Sequence, residues 1–207
     1  MRSECECGGS PAQRDDLPRA IAWLQGITLA WMVVESGVSL YAAARARSVA
    51  LLAFGSDSLI ELLSALVVLL QFLPRFPLSK ERAAKCAAAL LFLLAGAVMC
   101  IAALSWGGPV KTSQLGIVIT ALALVAMPVL AVRKQHEARR LGNPALAADA
   151  TQSAACAYLA AVTLAGLVAN LTWRISWIDA VAALAAVPVL VVEGCKSWRG
   201  EGCGCGH

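Results

Sequence analysis

A chain of 207 residues that is 59% hydrophobic and only 14% charged, with a mean hydropathy of +0.73, is too apolar for a soluble domain and belongs in a membrane. Its net charge of +4 comes from lysines and arginines set between apolar runs, which excludes a nucleic-acid surface. Enzyme chemistry has no support either, because no P-loop, nucleophile elbow or histidine-rich catalytic cluster is present.

In chain order, residues 1–18 are a polar N-tail with Glu4, Glu6, Asp15 and Asp16 and the pair Cys5 and Cys7. They lack an apolar h-region with a cleavage site, so no removable signal peptide is expected and the first span doubles as the insertion signal. Apolar segments of spanning length follow at about Ala20–Ala44, Val49–Leu73, Cys86–Trp106, Leu115–Val132, Ala145–Leu171 and Trp177–Cys195. The sixth is the weakest, with Asp179 near its start and Glu193 near its end. Pro128 and Pro188 each remove a backbone hydrogen bond from the fourth and sixth spans, and small residues such as Gly26, Gly37, Gly96 and Gly166 suit close helix packing in lipid. A tail at 196–207 carries Cys203, Cys205 and His207. The expected fold is thus an all-α membrane domain over residues 19–195, with six transmembrane helices, two short cysteine-containing tails and no soluble C-terminal domain.

An even number of spans puts both termini on one side. That side carries Arg2, Arg14 and Arg19, then Arg75, Lys80, Arg82 and Lys85, then Arg133, Lys134, Arg139 and Arg140, and finally Lys196 and Arg199. The other side has only Arg45, Arg47, Lys111 and Arg174, so the positive-inside rule makes both tails cytoplasmic. None of these cations falls inside an expected span, and any acid in a span must therefore be neutralised by protons, a metal ion or water.

The stretch AFGSDSLIE, Ala53 to Glu61, sets two such acids four residues apart in the second span. A carboxylate near the middle of a spanning helix costs roughly 2.5–3.5 kcal/mol on insertion scales, so Asp57 and Glu61 read as a functional pair. Residues i and i+4 share a helix face about 6 Å apart along the axis, which lets both acids point at one cation. Their alternative role is a protonated, hydrogen-bonded pair that holds helices together. Placed above ADATQSAAC, Ala148 to Cys156, the motif sets Asp57 over Gln152 and Glu61 over Cys156. With the second and fifth helices antiparallel, Asp57 is expected nearest Cys156 and Glu61 nearest Gln152, giving the four donors that zinc prefers.

At SVALLAFGSDSLIELLSALVVLL, ALAADATQSAACAYLAAV and WIDAVAALAAVPVLVVEG the chain resembles the cation diffusion facilitator family of metal/proton antiporters, and the likeness runs from Ala20 to about Cys195. The resemblance implies a six-helix transport domain, often dimeric, whose metal site takes two acids from the second helix and a His or Asp plus an Asp from the fifth. Asp57 and Glu61 match the first pair in chemistry. Gln152 and Cys156 depart from the second: glutamine is a weak neutral oxygen donor, whereas a thiolate favours soft or borderline ions such as zinc, cadmium or copper(I). The soluble domain that usually follows the sixth helix in that family has no counterpart in the short tail CKSWRGEGCGCGH.

Glu35, in the first span at a similar depth to Asp57, is either a fifth ligand, a proton carrier or an acid facing a watery vestibule. Asp149, near the start of the fifth, is explained by helix capping and the dipole. Gln152 either touches metal or orients Glu61, and Cys156 is either a ligand or a small core residue. The tail thiols and His207 suit a flexible metal-capturing strand or a plain solvated tail. His136, Cys86 and Cys100 read as structural.

The function expected is a secondary transporter that exports a divalent, zinc-like transition-metal cation from the cytoplasm by proton antiport. It needs no cofactor besides the transported ion and works in the bilayer, as a homodimer if the resemblance holds, without nucleic acid. The abundance of alanine points to a bacterial inner membrane. The rivals are a metal-binding or sensing protein that does not transport, and a membrane thiol redox protein, for which no Cys-x-x-Cys pair is present.

Overall fold

A computed structural model describes residues 19–70, 80–106, 108–141 and 144–199, with side chains at 23–63, 85–86, 88–106, 108–140 and 149–199. These residues form six helices: α1 (Arg19–Ala46), α2 (Val49–Leu70), α3 (Lys80–Leu104), α4 (Gln114–Leu141), α5 (Pro144–Trp173) and α6 (Trp177–Arg199). No strand occurs among them. Over their described parts α1, α4, α5 and α6 are long and apolar enough to cross a bilayer, which fits a multi-pass integral membrane protein.

Several helices run past an end of the expected span: α3 starts at Lys80, α4 ends at Leu141 and α6 ends at Arg199, in stretches rich in Lys, Arg, Glu, Gln and Ala for α3 and α4. α4 continues through RKQHEARRL to Leu141 rather than stopping at Val132. Arg133, Lys134, Arg139 and Arg140 are therefore helical, not loop residues. α4 and α6 both continue through their prolines, Pro128 and Pro188.

Contacts between helix ends show the helices alternating in direction. At one end of the bundle Lys111 N–H donates to the Ala46 carbonyl at 2.9 Å, Asn170 Nδ2 donates to the Val110 carbonyl at 3.4 Å, and Trp106 stacks on Trp177 with centroids 6.4 Å apart. This connecting end gathers the α1–α2, α3–α4 and α5–α6 junctions. At the opposite end, where α1 begins and α6 finishes, Gln25 of α1 donates to Asp149 of α5. Exposed tryptophans mark both ends, Trp23 and Trp198 at one and Trp106, Trp173 and Trp177 at the other, as expected for residues at the two membrane interfaces. Leu115, Val118, Leu122, Val125, Val129 and Val132 form an exposed apolar stripe along α4, a surface suited to lipid.

α2 carries the acid pair, and its start is fixed from a distance. Arg47 takes a left-handed conformation (φ 57°) and Ser48 N–H reaches back to the Ala43 carbonyl at 3.2 Å, closing α1. Ser48 Oγ then accepts the Leu51 N–H at 3.1 Å, the usual N-cap bond. The two remaining free amides of the first turn go to α6: Asp179 Oδ2 accepts Val49 N–H at 2.7 Å and Ala50 N–H at 3.4 Å, while Asp179 Oδ1 accepts the Ser48 hydroxyl. The acid that weakens the sixth span in the sequence thus caps the second. Replacing Asp179 by alanine is expected to cost about 2–3 kcal/mol, since it orphans buried donors as well as removing charge-assisted bonds. Asp179→Asn, which keeps an acceptor, should cost less, and thermal denaturation of the two variants checks the order.

Close helix approach occurs at glycines, though mostly not those expected. A Cβ on Gly55 would lie 2.9 Å from Ser39 Cβ, and one on Gly166 would lie 2.6 Å from Ala182 Cβ, so α1–α2 and α5–α6 each cross at a bare backbone. Gly26, Gly37 and Gly96 face open space. The main core joins Phe54 of α2, Val98 of α3, Leu159 of α5 and Leu190 of α6, and a smaller cluster packs Met32, Met127, Leu130 and Cys156 together.

Candidate metal centre

Asp57 and Glu61 lie on the inward face of α2 and are 0% and 4% exposed, and Cys156, on the facing side of α5, is 0% exposed. One donor atom from each lies within 4.8 Å of the other two. A tetrahedral ion with bonds of about 2.0–2.3 Å sets its donors roughly 3.3–3.8 Å apart, so small side-chain rotations would close the trio around an ion. Cys156 Sγ donates a hydrogen bond to Glu61 Oε2 at 2.9 Å. Both oxygens of Asp57 and Oε1 of Glu61 have no hydrogen-bond partner, although buried polar atoms are almost always paired.

Glu35, fully buried on α1, accepts the Ser58 hydroxyl at 2.8 Å through Oε1, while its Oε2 has no partner. The close α1–α2 crossing at Gly55 and Ser39 holds it beside the residue that follows Asp57. It lies outside the 4.8 Å cluster and so borders the centre rather than completing it.

Gln152 is placed differently from its expected position. It is exposed and makes no hydrogen bond to the other three residues, and Glu61 pairs with Cys156 instead. Between Asp149 and Ser153 α5 buries Ala150 and Ser153, the latter against Lys134 of α4, which leaves Gln152 on the flank. Further along, the buried face has rotated to Cys156, Leu159 and Ala160.

The expectation that no cation lies within a span is corrected by Lys134. Its side chain is 0% exposed inside the bundle, with Nζ 3.0 Å from Asp149 Oδ1 and 3.1 Å from Ser153 Oγ. Asp149 Oδ2 also accepts Gln25 Nε2 at 2.8 Å, so the residue expected to cap α5 links α1, α4 and α5. A signal for this was present: Lys134 continues the buried stripe Met127, Leu130, Ala131 and Ala138 at helical spacing. Because its charge is spent on Asp149, no ion pair reaches Asp57 or Glu61 among the described residues.

Cys86 and Cys100 are exposed, Cys195 is half-buried, and all described cysteines are free. His136 is exposed on α4. Cys5, Cys7, Cys203, Cys205 and His207 lie outside the described residues. The trio offers two hard carboxylates and one soft sulfur, a set suited to a borderline divalent ion such as zinc rather than to magnesium or calcium. No protein-family model matches the chain, and no curated protein matches it significantly.

Proposed function

We propose that this chain is a secondary transporter of a divalent transition-metal cation, with Asp57, Glu61 and Cys156 as its binding site and protons as the counter-ion. The observation that carries this reading is Asp57, a fully buried carboxyl group with neither oxygen hydrogen-bonded and no cation paired to it among the described residues. Such a group is costly unless a proton or a metal occupies it in turn. The likeness of the second and fifth helices to the cation diffusion facilitators supports the same reading.

Binding of the ion displaces protons from the two carboxyl groups and from the Cys156 thiol, and protonation from the opposite side displaces the ion. The two fluxes are coupled because they compete for the same atoms. Three protein donors leave part of the coordination shell to water, which keeps the ion releasable. Glu35, at the border of the trio, contributes to the site as a fourth ligand or a proton carrier. Alternating exposure of the site requires the bundle to open at one end and then the other. The excess of lysine and arginine at the end where α1 starts and α6 finishes supports a cytoplasmic location for that end, hence export across a bacterial inner membrane.

The deciding experiment is zinc uptake by everted vesicles that are acid inside. Accumulation that a protonophore abolishes is expected. Stoichiometric binding without accumulation would instead favour the non-transporting metal protein. The positions of Gln152 and Cys156 add a sharper expectation. Gln152→Ala should leave zinc affinity within about twofold, whereas Cys156→Ser should lower it by roughly tenfold or more and lower cadmium affinity further, because a soft donor is lost. Equal effects at the two positions, read by titration with each metal, would remove Cys156 from the ligand set.

A further inference from the structure

Four cations belong to the connecting end of the bundle, and three of them, Arg45, Arg47 and Lys111, line a single cleft of about 510 Å³ together with Thr112 and Ser113. The cleft wall contains no carboxylate, and none of the three cations is paired with an acid among the described residues. The hydrogen bond from Lys111 N–H to the Ala46 carbonyl, 2.9 Å, ties the α1–α2 turn to the α3–α4 connection and so holds both sources of charge together. Ser113 Oγ caps the Gly116 N–H at 3.0 Å, and α4 begins beside the cleft with no acid in its first turn, which adds the positive end of a helix dipole. Arg45 also suits the negative end of α1, but that does not explain Arg47 or Lys111. Arg47, moreover, sits in a left-handed conformation that glycine or asparagine adopts at less cost.

Like charges gathered this way repel one another unless an anion sits among them. Hydroxyls, guanidinium groups and an ammonium are the donors that phosphate oxygens take. Apolar surface leads away from the cleft on both neighbouring helices, Val34 and Tyr41 on α1 and Leu115 and Val118 on α4, all exposed. An inorganic ion would have no use for that surface, whereas the acyl chains of a lipid would cover it. We propose that this cleft binds the phosphate of an anionic phospholipid, with the acyl chains lying along α1 and α4. The assignment does not depend on what the buried acid pair does.

The full-length protein, purified in mild detergent, is offered phosphatidylglycerol, phosphatidylcholine or inorganic phosphate and examined by native mass spectrometry. Retention of phosphatidylglycerol well above phosphatidylcholine is expected. The double variant Arg45→Gln/Lys111→Gln should lower it by roughly tenfold to thirtyfold, as two interfacial cations are worth. Lys111→Arg, which keeps the charge, should retain phosphatidylglycerol within about twofold of the parent, given that the contact is chiefly electrostatic. Equal retention of the two lipids, or an unchanged double variant with an unaltered melting temperature, overturns the proposal. So does a loss in Lys111→Arg as large as in Lys111→Gln, which would mark a structural effect. Saturation by inorganic phosphate with no preference between the lipids would assign the cleft to free phosphate and overturn the lipid.

Discussion

Asp57→Asn is expected to abolish zinc accumulation in everted vesicles while leaving the helical bundle folded. The substitution changes almost no volume at a position where neither carboxyl oxygen is engaged in a hydrogen bond. It removes the charge that an ion would meet and leaves a neutral amide, so without metal the variant should melt within about 1 kcal/mol of the parent. With metal the two proteins should diverge. At free zinc about 100 times its dissociation constant a binding site stabilises the folded protein by about 2.7 kcal/mol. A hundredfold loss of affinity reduces that gain to about 0.4 kcal/mol. Loss of both transport and metal-dependent stabilisation would place Asp57 at the ion. Loss of transport with the thermal shift intact would make Asp57 part of the proton path or of the moving machinery instead, and retention of both would exclude it from the mechanism.

Asp149→Ala should be the most destabilising substitution in the polar network, and its cost should exceed that of removing its partner. Lys134 is fully buried, whereas the side chain of Asp149 is 33% exposed. Taking away Asp149 strands a buried ammonium with only Ser153 as a partner, and breaking a buried pair in this way costs about 3–5 kcal/mol. Taking away the charge with Lys134→Met fills the same space with an apolar chain and leaves a carboxylate that still reaches solvent and keeps Gln25. That loss should be about 1 kcal/mol or less. Thermal or chemical denaturation in detergent gives the order directly, and equal costs would mean that Lys134 is hydrated rather than buried in the bundle. The Asp149→Ala variant also frees α1 from α5, so Cys156, two turns further along α5 from Asp149, should react faster with a small thiol reagent. Mass spectrometry of the Cys156 peptide separates that change from labelling at the exposed Cys86 and Cys100.

Much of the architecture is written locally. Long apolar runs separated by short polar connections demand helices in lipid, because no other arrangement within one segment satisfies every backbone group, and the six expected segments correspond to α1 to α6. The acid pair is local too: Asp57 and Glu61 stand at i and i+4, and α2 is continuous through both, so their shared face follows from helix geometry alone.

What one segment does to another is not local. The register that sets Gln152 beside Glu61 takes α5 as facing α2 along its whole length, yet Asp149 and Ser153 face Lys134 on α4, and so Cys156 joins the acids while Gln152 is left on the flank. Lys134 reads as a loop cation until α4 is seen to extend past it and Asp149 arrives from α5 to neutralise it. Asp179 reads as a flaw in the sixth span until it meets the free amides of α2. Composition and periodicity by themselves determine which segments become helices, though not how far each runs, and which side chains are too costly to bury alone. Only tertiary packing decides which partner each of those side chains finds, because that partner comes from a distant part of the chain and depends on how each helix is rotated about its own axis.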